Sequence, residues 1–263
     1  MPLKSLLICI PTMGGVMKSQ TGVTLAQLVK ALLRSGVDAS IHNIDSSDIV
    51  IARAQFAQAV LDSDKWDGLL FVDSDMAFRP GLVLRMLKLD EDAVAAAYTT
   101  RIFDWKKFAE AMRSHGVVEK ARVQASHFVL INQWDPKKPR PRKQRGGFMT
   151  MAAAGLGCCL ISRAALQAMA DAGVATQRHD GITTKPIWGF FDQLEVNGRL
   201  YGEDYSFWYR WTELMGRDLW VCVDEKLLHI GQFDYTGRYA DLLTRRSADP
   251  GASLSPGSGS ADA

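Results

Sequence analysis

The run Gly68-Leu69-Leu70-Phe71-Val72 holds no polar side chain, and it constrains the chain more than any other feature. It follows a turn-like Asp64-Lys65-Trp66-Asp67 and stops at Asp73-Ser74-Asp75. An unbroken apolar run of this length fits a strand covered on both faces, as in the middle of a parallel sheet. Such a strand needs helices on either side, so the chain around it has to alternate strand and helix. If the backbone stays extended, Asp73 and Asp75 point to the same side and converge at the carboxyl end of the strand. That is where open α/β sheets place their ligands. Paired carboxylates repel unless a cation or a proton intervenes, and hard oxygen ligands suit Mg2+ or Mn2+ bridging to a phosphate. A solvated Asp-Ser-Asp turn is the plainer alternative.

The flanking sequence does alternate. Residues 5–10 predict a first buried strand, and 11–15 (Pro-Thr-Met-Gly-Gly) a turn in which backbone can approach a ligand. The Lys-Ser/Thr pair of a P-loop is missing. Apolar residues at helical spacing from Val23 to Leu33, closed by Gly36, predict a helix. Residues 37–44 alternate like a second strand, and 45–48 cap a helix over 49–63. Arg53 lies among that helix's apolar residues, a position that asks for an Asp or a phosphate as partner. Beyond the Asp-Ser-Asp stretch, a helix opened by Pro80 runs to Leu89. Residues 92–98 are a strand ending at Thr99-Thr100-Arg101, 103–114 a short helix and 123–131 a strand. This βαβ order predicts a parallel sheet. Gly155 and Gly157 precede an apolar strand and a helix over 164–172; without a third glycine after a strand, a dinucleotide site is set aside. A helix follows Gly202-Glu203-Asp204 to Met215, 219–223 is a strand, and His229 lies just beyond it.

A chain of 263 residues suits one large α/β domain, and a net charge of +2 gives no general pull towards nucleic acid or membrane. Cys9, Cys158, Cys159 and Cys222 all sit in apolar runs, as small core residues of a reducing compartment do. The start carries no signal-peptide pattern, and no stretch reaches the roughly 18 apolar residues of a membrane span. A cytoplasmic protein is expected, with any membrane contact peripheral. Residues 137–145 carry six basic residues in nine positions, interleaved with prolines. They predict a flexible solvated loop or, more sharply, a loop that receives an anionic acceptor or a membrane surface. Without aromatic residues in the cluster, no specific nucleic acid is expected. Residues 247–263, rich in Ala, Gly, Ser and Pro, are expected to be a disordered tail.

Five pieces recur in a telling order: Ile10-Pro11-Thr12, Phe71-Val72-Asp73-Ser74-Asp75, Gly155-Leu-Gly-Cys-Cys-Leu-Ile-Ser-Arg163, Gly202-Glu203-Asp204-Tyr205-Ser206-Phe207-Trp208, and His229-Ile230-Gly231. Across about residues 5–240 the sequence resembles the GT-A nucleotide-sugar glycosyltransferases, particularly the family 2-like enzymes of bacteria and phages. The resemblance implies an α/β fold of GT-A (Rossmann-like) type, a mostly parallel sheet flanked by helices. It implies one domain over 1–246, with a nucleotide-binding half about 1–101 and an acceptor-binding half about 102–246. The implied reaction moves a sugar from a nucleoside-diphosphate sugar, UDP-sugar foremost, to a carbohydrate or other hydroxyl acceptor with inversion. Asp75 and His229 would hold Mn2+ or Mg2+, with Asp73 on the metal, ribose or sugar. Asp204 would be the general base, beside Glu203 and at a helix N-terminus whose dipole favours its ionised form. Pro11, Thr12, Asp45, Asp48 and Ser74 would surround the nucleotide, and Arg53 and Arg101 would meet its phosphates. Trp188, Phe190 and Trp208 are candidates to stack on sugars, with at least one expected in the core. The chain departs from the family in lacking Tyr-Asn after Pro-Thr, and 101–155 follows no family pattern beyond Asp104-Trp105. Two competitors remain. A HAD-type phosphatase also ends a strand in DxD, but on its first strand and with Thr or Val where Ala77 stands. A non-catalytic nucleotide-sugar-binding module on the same fold is the other.

Overall fold

An eight-stranded sheet runs through the protein. Its strands are β1 (Ser5–Thr12), β2 (Asp38–Asp45), β3 (Gly68–Val72), β4 (Ala93–Ala96), β5 (Gln144–Arg145), β6 (Phe148–Met151), β7 (Cys158–Ser162) and β8 (Leu219–Cys222), in the spatial order β2-β1-β3-β7-β4-β8-β6-β5. The computed structural model describes residues 3–179, 181 and 185–232. The chain divides into two compact units, Met1–Ile230 and Gly231–Ala263, and every element named here belongs to the first. The tail expected over 247–263 lies outside the described residues.

The apolar run is β3, buried at every position as its composition requires. It pairs with β1, which pairs with β2, all in parallel. Alternate side chains go to opposite faces. Leu7, Cys9, Leu69, Phe71, Cys159 and Ile161 join one apolar layer with α2 (Ile49–Asp62) and α6 (Arg163–Asp171). Leu6, Ile8, Leu70, Val72, Cys158 and Leu160 join the other with α1 (Ser19–Arg34) and α3 (Gly81–Leu89). A mixed α/β fold results, with a large, mostly parallel central sheet flanked by helices, as expected. Among the described residues no helix is long and apolar enough to cross a membrane.

The structure corrects the sequence reading in three places. β7 enters between β3 and β4 antiparallel to both, and β6 is antiparallel to β8, so two of the eight strands run against the rest. Residues 123–131 are not one strand: α5 (Val118–Ala125) occupies the first part, followed by short pieces at Ser126–Phe128 and Leu130–Ile131. The basic loop is fastened down. Arg140 donates to the carbonyls of Thr212 and Gly216, Lys143 meets Asp218 at 2.5 Å, and Arg145 reaches Glu91 and the Leu89 carbonyl, both at 2.7 Å. With Arg142 donating to Asn132 Oδ1 at 3.4 Å, four of the six cations read as a free anion receptor are tied to the fold.

Gly68 shows how tightly β3 and β7 approach. A Cβ there would stand 2.6 Å from the Ile161 carbonyl oxygen, a backbone atom that cannot yield without moving a strand. Gly68→Ala should therefore destabilise the protein by about 1–3 kcal/mol, read as a lower urea midpoint. Gly81→Ala, which meets nothing within 4 Å in a helix, should not lower it.

Candidate functional site

The carboxyl ends of β1 and β3, the segment after β4 and the start of α7 (Glu203–Trp208) enclose a cleft of about 630 Å3. Pro11, Thr12, Arg53, Asp73, Ser74, Asp75, Arg101, Glu203, Asp204 and His229 all line it. Parallel pairing of β1, β2 and β3 brings their carboxyl ends to one edge of the sheet, where side chains leave the core for solvent.

Arg53 holds the centre. It projects from α2 with 2% of its surface exposed, its guanidinium 5.0 Å from the centre of the Phe71 ring. Nη2 donates to Asp73 Oδ1 at 2.9 Å, while Nε lies 3.8 Å from Glu203 Oε1. Neither Nε nor Nη1 has a hydrogen-bond acceptor among the described residues. Burial works against its charge, but Asp73 and Glu203 outweigh it and hold the pKa above the ordinary value.

The backbone through the DxD motif is not extended. Ser74 and Asp75 form a turn closed by the Met76 N–H on the Asp73 carbonyl at 3.0 Å, and the two carboxylates take different partners. Asp73 faces Arg53. Asp75 accepts from Arg101 Nη1 at 2.9 Å, and His229 Nε2 lies 3.5 Å from it. His229 Nδ1 is 2.8 Å from the Thr99 carbonyl, so Nδ1 carries the hydrogen and Nε2 turns its lone pair or a proton towards Asp75. The hydrogen bond that His229 makes to Asp75 raises the His229 pKa, its burial notwithstanding. On Asp75 burial is outweighed by His229 and Arg101, and its carboxyl titrates below the usual range.

Among the described residues no three His, Cys, Asp or Glu side chains gather as a closed cation site, so the expected Asp73-Asp75-His229 trio is corrected to a pair. That pair still fits a divalent ion. An imidazole nitrogen and a carboxylate that face each other across 3.5 Å are satisfied by a proton or by a divalent ion, and Mg2+ and Mn2+ commonly take one or two protein ligands with the remainder from phosphate and water.

Other expected site residues do work elsewhere. Asp45 Oδ1 accepts from the Gly15 N–H at 2.9 Å and from Thr12 Oγ1 at 3.3 Å, which pins the turn after β1. Asp48 caps α2 by accepting from Val50 and Ile51. Phe190 and Trp208 have 0% exposure, packed with Phe191 and Phe207 in the core, and Trp188 stacks on Phe190 at 5.9 Å. Phe190 and Trp208 offer no face to a sugar, because the apolar layer beneath α7 takes them first, whereas Trp188 is only partly buried.

Tyr98 was not singled out from sequence. It follows β4 as Asp73 follows β3, and that shared strand-end position was the available signal. Its hydroxyl accepts from the Gly157 N–H at 3.1 Å, and its ring meets His229 edge-on at 5.4 Å. A Cβ on Gly155 would overlap that hydroxyl, and one on Gly157 would sit 2.8 Å from Asp73 Oδ2. The glycine pair that resembles a dinucleotide loop is thus the space into which Tyr98 and Asp73 fit.

Asp204 differs from every other carboxylate in the cleft. Among the described residues no cation pairs with it, and its Oδ1 accepts only from the Tyr205 N–H at 2.7 Å. Burial, then the charge of Glu203, push its pKa up to about 6. The helix N-terminus was expected to hold it low; desolvation wins over the dipole of so short a helix.

Fold and cleft define a mixed α/β protein with an acidic, arginine-bridged cleft at the carboxyl edge of its sheet. The sequence matches no family model and no curated protein. Several solved structures resemble the chain at low identity, and two illustrate the level of likeness. One is A197 from STIV, with TM-score 0.45 and 14% identity over 89% of this chain and 96% of that one. The other is GalNAc-T7 with UDP, GalNAc and Mn2+, with TM-score 0.39 and 14% identity over 88% of this chain and 44% of that one. The chain spans less than half of GalNAc-T7. Likeness at this level carries no chemistry; the cleft's side chains do.

The raised Asp204 pKa is directly measurable. Carboxyl carbon NMR should show one aspartate titrating near 6, lost in Asp204→Asn. Glu203→Gln should lower that midpoint without restoring it to the ordinary value, since burial is the larger cause.

Proposed function

We propose that the protein is a metal-dependent GT-A glycosyltransferase that moves a sugar from a nucleoside-diphosphate sugar, UDP-sugar foremost, to an acceptor hydroxyl with inversion. One observation carries the reading: a buried carboxylate with a pKa near neutral shares a cleft with two arginines and an Asp-His pair. The first suits a base, the others a departing diphosphate.

Charge balance supports an anionic ligand arriving with a cation. Asp73, Asp75, Glu203 and Asp204 line the cleft against Arg53, Arg101 and His229. A diphosphate alone would meet more carboxylates than guanidinium groups. A divalent ion held by Asp75 and His229 would offset that repulsion and neutralise charge developing on the leaving diphosphate. Arg53, oriented by Asp73, brings its fixed positive charge to the cleft, which supports an anionic ligand.

On the acceptor side, the hydroxyl proton passes to Asp204 as the acceptor oxygen forms its bond to the anomeric carbon. The bond from that carbon to the diphosphate oxygen breaks, and its electron pair leaves with the nucleotide. A single displacement of this kind inverts the anomeric centre and needs no nucleophile on the protein. A base with a pKa near 6 accepts the proton more readily than an ordinary aspartate yet is ionised at neutral pH. We assign the catalytic domain to 1–246, the nucleotide side to about 1–101 and the acceptor side to about 102–246.

Calorimetry with UDP should show binding that requires Mn2+ or Mg2+ and weakens strongly in Asp75→Ala; equal affinity in chelator and in metal refutes the site. Asp204→Asn should keep UDP-sugar binding within a few-fold and lower transfer roughly 100-fold or more. Transfer by the unaltered protein should fall as pH drops through about 6, because protonated Asp204 is no longer a base. Glu203, Asp73, Arg53 and Tyr98 face the same carboxyl, so Asp204→Asn must remove that limb for the assignment to hold. Retention of the donor's anomeric configuration in the product would overturn the mechanism.

A further inference from the structure

Segment 99–128 leaves the body at the rim of the cleft and returns to it. Thr99–Phe103 pairs antiparallel with Ser126–Phe128, and between them α4 (Trp105–His115) and α5 pack mainly on each other, burying only Ala111, Ala121 and Ala125. Asp104 caps α4 by accepting from the Lys107 N–H at 2.9 Å, and Gly116 closes it at φ 65°. The hairpin is specified locally, yet its large apolar side chains are left in solvent. Ile102 is 66% exposed, Trp105 58% and Val123 58%, joined by Val117, Val118 and Phe128. Phe103 and Phe108 support Trp105 from below, with ring centroids 4.6 and 6.2 Å away. Ile102 lines the cleft together with Met13, which is 73% exposed and begins a second apolar tip with Val16 and Met17. So many exposed apolar groups on one short hairpin, with Ile102 and Met13 meeting at the cleft, mark a surface built to be covered.

Charge decides what covers it. Residues 99–128 hold six Lys and Arg (101, 106, 107, 113, 120, 122) against three Asp and Glu (104, 110, 119), and Asp104 already serves α4. Lys106, Lys107, Arg113, Lys120 and Arg122 are exposed. Apolar tips and an indole interleaved with cations match the boundary of a bilayer that carries anionic headgroups: the tips enter it and the cations stay at the phosphates. Nucleic acid would satisfy the cations but would give Val117, Val118 and Val123 no partner, since aliphatic side chains do not stack on bases. We propose that the 99–128 hairpin, with the Met13 tip, docks the protein on an anionic lipid bilayer and sets the mouth of the cleft at headgroup level.

Sedimentation of the full chain with vesicles tests this. It should bind vesicles containing phosphatidylglycerol and not those of phosphatidylcholine alone, with binding reduced by salt. The pairs Ile102→Ser with Trp105→Ser, and Lys106→Glu with Lys107→Glu, should each weaken binding about tenfold or more at unchanged thermal midpoint. Lys137→Glu with Lys138→Glu should leave it unchanged, which separates the hairpin from the basic loop. Equal binding to neutral vesicles, no vesicle binding, or full binding by both hairpin variants overturns the proposal. So does a dimer abolished by those variants without vesicle binding, or a preference for single-stranded oligonucleotide. Vesicle binding requires no nucleotide, so its failure leaves the sugar-transfer reading standing, and loss of metal-dependent UDP binding leaves the docking standing.

Discussion

The site depends on one buried cation. A guanidinium with 2% exposure is stable only where carboxylates compensate for its lost hydration, and Arg53 finds Asp73 after β3 and Glu203 at the start of α7. Removing one partner of such a pair leaves an uncompensated charge, at about 3–5 kcal/mol. Three elements distant in sequence are thereby held to a common point. Among the described residues Nε and Nη1 find no hydrogen-bond acceptor, with Glu203 stopping at 3.8 Å. Arg210, also buried, instead donates to the carbonyls of Val174, Phe190, Asp192 and Ser206.

Dividing the DxD carboxylates follows from the same electrostatics. Side by side they would repel; each instead meets a different cation. The turn at Ser74 gives them different partners, and the close approach of β7, through the Asp73 N–H on the Gly157 carbonyl at 3.0 Å, fixes where Asp73 stops. Tyr98 fills the space above Gly155 and Gly157 and leans on His229. Main-chain contacts and small residues thus set the carboxylate positions, while the charged partners select their orientation.

Much of this was legible in sequence because burial leaves a periodic trace. An apolar run predicts a covered strand, as at β3, and an arginine among apolar neighbours on α2 predicts an acidic partner, as at Arg53. Periodicity carries no direction, so the antiparallel entry of β7 was invisible. Nor does it tell a core aromatic from a binding one: Phe190 and Trp208 have the composition of a sugar platform and the position of a core. The basic loop misled for a related reason. Its counter-charges, Glu91 and Asp218, lie far away in sequence, and only the fold brings them to Arg145 and Lys143.

Asp204 is the case in which two physical rules compete. A carboxylate in the first turn of a helix gains from the dipole, worth about 0.3–1 kcal/mol when exposed. Burial opposes ionisation more strongly, and the neighbouring Glu203 adds to it, so the balance reaches a pKa of about 6. The same neighbourhood splits the carboxylates by role. Asp73 has Arg53 and Asp75 has Arg101 and His229, whereas among the described residues Asp204 has only one backbone N–H. Carboxylates that share a cleft but not their partners titrate apart: Asp75 is held below the usual range by His229 and Arg101, while Asp204 is pushed up to about 6.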